Sequence, residues 1–259
     1  MTTPFDDAIE AIRKKGYHNH RLETHSDTVS DGLFSDLVRT CEPLRMDVGG
    51  GVVKVWRNVR SPGDRRRKVD LFVGAATAEG DPDIAQLRIA VENKSVVTAH
   101  RNRTNRFDDL KKVLSAIHDA RPEALVVATV LVGLAERVLN VPDDVKKRYR
   151  DSPEDFARSV LPRLSSGDAS LWEEFPWAIS YNRVNDPAGT VAMMRTIPTR
   201  KPGHTHVQGY DFVLLVPVLI DNVNPPLVAR ANSLGIDVDT DYRLMLQQIC
   251  AAYTARWHM

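Results

Sequence analysis

Cysteine is scarce in this chain. Cys41 and Cys250 are the only two, and no Cys-x-x-Cys or Cys/His spacing accompanies them, so the sequence offers neither a disulfide framework nor a zinc ribbon. No stretch approaches 18 uninterrupted apolar residues, which argues against a membrane-spanning helix, and the opening MTTPFDDAIEAIRKKG lacks the apolar core and cleavage site of an export signal. These absences lead to the expectation of a cytoplasmic protein. A phosphate loop of the GxxxxGK[ST] type is missing too, and the short GGG run at 49–51 does not replace it, so no nucleotide cofactor is expected. Internal repeats and low-complexity tracts are absent, which removes solenoids and propellers. Net charge is nearly absent as well, at +1 over 259 residues, so any affinity for a polyanion must come from local charge.

Local charge is present. The segment from Lys54 to Lys68 carries a net +6, including Arg65, Arg66 and Arg67, and the segment from Lys94 to Lys112 a net +4, including Arg101, Arg103 and Arg106. Either run alone could be a solvated face. They flank one stretch of chain whose periodicity is informative. A helix is expected near 4–15, and a second from Asp27 to Cys41, with Val29, Leu33, Phe34, Leu37, Val38 and Cys41 on one arc and Ser26 or Asp27 as its cap. GGGVVKVWRNV, KVDLFVG, QLRIAVEN and ALVVATVLVG read as strands, and a helix over 104–120 separates the last two and stops before Pro122. The order helix, three strands, helix, strand predicts an α/β fold with a mixed central sheet flanked by helices.

Beyond residue 140 the pattern loosens. A helix near 153–164, strands near 176–182 and in YDFVLLVPVLI, long loops over 187–226, and a closing helix over 239–257 form a C-terminal α+β elaboration. The chain divides into a core over 1–140 and an elaboration over 141–259 packed upon it, without a clean linker between them.

Chemistry concentrates in the middle strands. If KVDLFVG and QLRIAVENK form an antiparallel hairpin turning near residue 81, cross-strand partners sum to about 162 and Asp70 stands opposite Glu92, with Lys94 on the same face. Opposed like charges destabilise a sheet unless a cation bridges them. IAVENKSVV also sets a charged triplet inside an apolar run, and buried charge needs partners or a metal. Pro82-Asp83 is a competing acid, but from the turn it would lie nine strand residues, roughly 30 Å, from Glu92.

A strand-borne Asp, then Glu-Asn-Lys closing the next strand, then a helix and another strand, resembles the PD-(D/E)xK signature over roughly residues 27–133. Val69 stands where the family pattern carries proline. The resemblance implies a restriction-endonuclease-like αβββαβ core and a Mg²⁺-dependent endonuclease, with Mn²⁺ able to substitute. Asp70, Glu92 and the Asn93 backbone carbonyl would ligate the metal, and Lys94 would orient the attacking water. Asp31 or Glu23 would supply a further acid from the preceding helix. His100, Arg101, Arg103 and Arg106, with Arg65, Arg66 and Arg67, would hold DNA phosphates. Double-stranded DNA is then the expected partner, and a type II-like restriction enzyme acting as a homodimer the expected role. A structure-specific repair or mobile-element nuclease and a catalytically silent binding protein are the alternatives. His18, His20 and His25 are expected in a surface loop, since their spacing does not suit a metal site. His204 and His206 lie in a loop that could approach bases or the site.

Overall fold

The computed structural model describes residues 2–18, 24–62, 64–230 and 234–258; the side chains of Thr24, Asp64, Arg65 and Arg66 are outside this description. In chain order the elements are α1 (Pro4–Lys15), α2 (Thr24–Thr40), α3 (Glu42–Gly49), β1 (Lys54–Ser61), β2 (Asp64–Ala76), β3 (Pro82–Val96), a 3₁₀ turn (His100–Asn102), α4 (Arg103–Ala120), β4 (Leu125–Gly133) and β5 (Arg137–Asn140). There follow α5 (Asp143–Arg148), α6 (Pro153–Ser159), α7 (Leu161–Ser165), α8 (Ala169–Glu174), β6 (Ala178–Tyr181), α9 (Asp186–Met194), β7 (Phe212–Leu219), β8 (Leu227–Val228) and α10 (Val238–Trp257). None of the described helices is long and apolar enough to cross a membrane.

The six-stranded sheet runs β1-β2-β3-β4-β7-β8. Strands β1 to β3 form an antiparallel meander, β4 and β7 continue parallel to β3, and β8 closes the edge antiparallel to β7. The sheet is therefore mixed, with helices against it, as the order of elements predicts. Strand β4, LVVATVLVG, shows no polar alternation because all nine of its residues are buried, as befits a strand covered on both faces. Helix α2 lays Val29, Leu33 and Leu37 into the interior, each worth roughly 1.5–3 kcal/mol on burial. The main core joins these to Leu214 of β7 and Tyr242, Met245 and Ile249 of α10, so the last strand and helix complete the first sheet. A smaller apolar cluster gathers Tyr17, Val145, Phe156 and Leu171 around α5 to α8.

Several elements differ from the sequence expectation. The glycine turn that leads into β1 stands where the sequence places it, but it is preceded by a short helix the sequence reading did not include, α3, which Pro43 starts at a position where its missing N–H costs nothing. The helix expected near 153–164 is two short helices, α6 and α7. Helix α9 occupies part of the span read as loop, with Pro187 in its first turn and Val191 and Met194 in the core. Strand β5, only four residues long, pairs with β6 in a separate ribbon.

The cysteines also need correcting. Cys41 and Cys250 are disulfide-bonded, with their Cα atoms 5.3 Å apart. Cys41 caps α3 and Cys250 lies on α10, which packs against α2 and α3, so a tertiary contact brings together residues 209 positions apart. Cysteine usage therefore lends no support to a reducing compartment.

Candidate active site

The hairpin that carries the charged triplet is fixed by its apolar ladder. Leu71 pairs with Val91, Phe72 with Ala90 and Val73 with Ile89; the same register continued one step sets Asp70 beside Glu92. Nearer the turn a bulge shifts the register at Gly74, where a Cβ would stand 2.6 Å from the Gln86 carbonyl, so glycine is required by the close approach. The turn itself occupies residues 77–81. Pro82-Asp83 opens β3 at its far end, where Asp83 receives the Ala85 N–H at 3.0 Å.

The ladder stops at Leu71, and Asp70 takes over its function with a side chain. Asp70 Oδ2 accepts the Asn93 N–H at 2.6 Å. Its carboxyl is raised above the usual carboxylate range by burial, against the pull of that N–H, the Lys94 charge and Ser26, while the Asp27 charge adds to the rise. Glu92 is 1 % exposed. One of its oxygens, Oε1, is ion-paired with Lys94 Nζ; the other, Oε2, is buried with no hydrogen-bond partner. Burial pushes the Glu92 pKa up to about 7, opposed by Lys94 and reinforced by the charges of Asp70 and Asp109.

Asn93 faces the other way and is locked. Its Nδ2 donates to the Ser26 carbonyl at 3.2 Å, to Ser26 Oγ at 3.0 Å and to Ser30 Oγ at 2.8 Å, and its Oδ1 accepts from Thr129 Oγ1 at 2.6 Å. Helix α2 and strand β4 thus clamp the middle residue of the Glu-Asn-Lys triplet, which fixes the directions of its neighbours. Asn58 of β1 lies at the register position opposite Asp70, in the left-handed region with φ of 53°, a conformation asparagine tolerates. Its Nδ2 donates to Asp27 Oδ1 at 3.1 Å.

The acid that α2 brings to the site is therefore Asp27. Asp31 is 44 % exposed in its side chain and pairs with Arg57 at 2.5 Å; Glu23 lies outside the described residues. From α4 comes Asp109, which accepts from Arg67 Nη1 at 2.8 Å and from Arg106 Nη1 at 3.4 Å. These acids, with Ser26, Ser30 and Thr129, escaped sequence reading. A serine pair one helical turn apart beside the apolar arc of α2, with Ser30 wholly buried, was the available signal.

His100, expected to hold phosphate, has both ring nitrogens engaged inside the protein. It is wholly buried, with Nδ1 against Thr190 Oγ1 at 2.7 Å and Nε2 against the Gly133 carbonyl at 2.8 Å, so it pins the 3₁₀ turn to β4 and α9. Arg101 is exposed, and Arg103 pairs with Asp186 at 3.3 Å. Arg65 and Arg66 have side chains outside the described residues. His18 and His25 are buried rather than in a surface loop, their rings stacked at 5.6 Å, while His20 lies outside the described residues. His204 and His206 occupy an exposed turn beside the start of β4, next to Arg200, whose guanidinium holds the Pro122 carbonyl at 2.7 Å.

Chemically, two carboxylates with raised pKa values, one orphaned carboxylate oxygen and an ammonium share one end of a clamped hairpin. Hard oxygen donors of this kind suit Mg²⁺ or a similar cation, and Asp70 and Glu92 fit such an ion. No cluster of three or more His, Cys, Asp or Glu at metal-binding spacing occurs among the described residues, so a cation here would complete its shell with water, backbone or substrate oxygens. The chain has no significant match among protein-family models, curated proteins or solved structures.

Proposed function

We propose that the chain is a Mg²⁺-dependent endonuclease that hydrolyses phosphodiester bonds of double-stranded DNA, built on a restriction-endonuclease-like core of the PD-(D/E)xK kind. The observation that carries this reading is Glu92: a buried carboxylate with an unpartnered Oε2, set beside Asp70 and ion-paired to Lys94. A structural role would ask for that oxygen to be hydrogen-bonded, because an unsatisfied buried polar atom costs about 1–3 kcal/mol.

A divalent cation bound there would acidify a water and neutralise phosphate charge. Asp70 of β2 and Glu92 of β3 would hold it, with the backbone carbonyl of Asn93, next to Glu92 on β3, as a further ligand. Lys94, released from Glu92, places its ammonium where negative charge develops on the phosphate and orients the attacking water by hydrogen bonding. Clamping of Asn93 by Ser26, Ser30 and Thr129 keeps Glu92 and Lys94 in fixed directions, so little reorganisation accompanies the reaction. The elaborated second half and a two-fold dimer belong to the same reading as a source of target recognition.

The experiment is incubation of purified protein with unmethylated phage DNA and Mg²⁺, with EDTA and Asp70→Ala as controls. Discrete fragments that vanish in both controls are expected, with a loss of roughly a hundredfold or more in Asp70→Ala. Cleavage undiminished in Asp70→Ala and Glu92→Ala overturns the assignment.

A further inference from the structure

Where β3 and β4 end, the chain builds a second feature. A cavity of about 680 Å³ opens between the 3₁₀ turn with the start of α4 on one side and the β5–β6 ribbon on the other. This is the size of a small-molecule site. Its walls are tied together by buried polar contacts. His100 bonds to β4 and α9 as described, Asn182 Oδ1 accepts the His100 N–H at 3.2 Å, and Asn182 Nδ2 donates to the Ala135 carbonyl at 2.9 Å. A Cβ on Gly133 would stand 2.4 Å from the Val97 carbonyl oxygen, so only glycine lets the ends of β3 and β4 approach this closely. The cavity is therefore preformed by three segments of chain.

Its lining sorts into three chemistries. Arg101, Arg103 and Arg183 face it against a single acid, Asp186. Asp186 pairs with Arg103 and accepts the Arg183 backbone N–H at 2.8 Å, and neither the Arg101 nor the Arg183 guanidinium has a carboxylate partner among the described residues. Tyr181 presents an aromatic ring at 71 % exposure, with the Arg137 guanidinium 5.9 Å from its centroid. Asn140 spends its Nδ2 on Ser180 Oγ at 3.0 Å and the Ala178 carbonyl at 3.3 Å, which leaves its carbonyl oxygen available as an acceptor. Unpaired guanidinium for phosphate, an exposed ring for stacking and an amide for an edge are the three needs of a nucleotide.

We propose that this cavity receives one unpaired nucleotide of the strand bound at the active site, with its base stacked on Tyr181, its edge read by Asn140 and its phosphates held by Arg101 and Arg183. The choice of a polynucleotide as ligand rests on the nuclease reading above. Ala99 at the cavity rim lies five positions after Lys94, a reach of at most about 18 Å, so a strand at Lys94 can reach the cavity within a few nucleotides. A base in a duplex must leave its stack to enter, at a cost of a few kcal/mol, whereas a bulged or single-stranded base enters without that cost. The site therefore favours DNA carrying an unpaired nucleotide over fully paired DNA.

Fluorescence anisotropy in EDTA separates binding from catalysis. Two labelled duplexes of equal length are compared, one fully paired and one with a single-nucleotide bulge. The intact protein is expected to bind the bulged duplex about tenfold more tightly. Tyr181→Ala and the double change Arg101→Ala/Arg183→Ala should erase the preference, and Tyr181→Phe should keep it. Asp70→Ala should retain the preference while losing cleavage. Equal affinity for both probes, no binding to either, or a preference unchanged in Tyr181→Ala overturns the pocket assignment. Asp70-dependent cleavage alongside such a result leaves the nuclease reading standing, whereas a Tyr181-dependent preference without any metal-dependent cleavage supports the pocket and removes the nuclease.

Discussion

Glu92 and Asp211 are the two most instructive acids in the molecule, because they are equally buried, at 1 % and 2 % exposure, and differently treated. Asp211 Oδ1 and Oδ2 are met by Arg200 at 3.2 and 3.1 Å, by Arg256 at 2.5 Å and by the Val126 N–H at 2.8 Å. Every lone pair that faces the interior has a donor, and the donors tie β4, α10 and the chain before β7 together. Glu92 has one ammonium on one oxygen and nothing on the other. Burial alone thus does not mark a functional acid. What sets Glu92 apart is the partners withheld from it, in a fold that satisfies Asp211 so fully, and the proposed nuclease reading rests on that contrast.

The largest effect should come from the satisfied acid. Asp211→Ala strands two buried guanidinium groups and is expected to cost about 3–5 kcal/mol in urea unfolding. Glu92→Gln should bring no such loss at neutral pH without metal, because it removes a charge that burial already opposes. Equal losses in the two variants would erase the distinction between a structural and a reactive carboxylate.

The second effect is a pH dependence carried by Glu92 in metal-free protein. Its pKa of about 7 in the folded chain stands above the ordinary 4.5. Between those values the unfolded chain has lost the proton that the folded chain keeps, so stability falls as pH rises through this window and is flat above it. Glu92→Gln has no such proton. Its stability relative to the intact protein in EDTA should grow between pH 4.5 and 7, to a plateau on the order of 1–3 kcal/mol. A difference that is constant with pH removes the burial of a charge as the cause. Saturating Mg²⁺ should raise the melting temperature of the intact protein and leave Glu92→Gln unmoved, by linkage to a folded-state site.

How far all this could be read from the chain depends on the range of the interaction. The β2–β3 ladder was legible because two apolar runs rich in β-branched residues and the Gly-Asp-Pro turn between them act within 25 residues, and Asp70, Glu92 and Lys94 followed from it by register. The disulfide was not, since nothing local to Cys41 announces α10. Nor were His18, His25 and His100, because a histidine buried against a distant hydroxyl or carbonyl carries no periodic trace. Strand β5 is too short for alternation to count. The clamp on Asn93 needs α2, β3 and β4 at once, and only tertiary structure supplies all three.

The smallest effect separates two acids one turn apart on α2. Asp27 adds its charge to the rise in Asp70 and receives the Asn58 amide, whereas Asp31 pairs with Arg57 in solvent. Removing Asp27 as Asp27→Asn lowers the negative potential at Asp70, which should bring its carboxyl toward the ordinary range and reduce cleavage roughly tenfold at limiting Mg²⁺, with rescue at high Mg²⁺ if the loss lies in cation affinity. Asp31→Ala breaks an exposed pair worth at most about 0–1 kcal/mol and should leave both stability and cleavage within error. Titrating Mg²⁺ against cleavage rate in the two variants decides between them: a shift in Asp31→Ala and none in Asp27→Asn would return the helix acid to the position first expected from the sequence and would show that proximity to Asp70, as the helix is packed, does not govern the site.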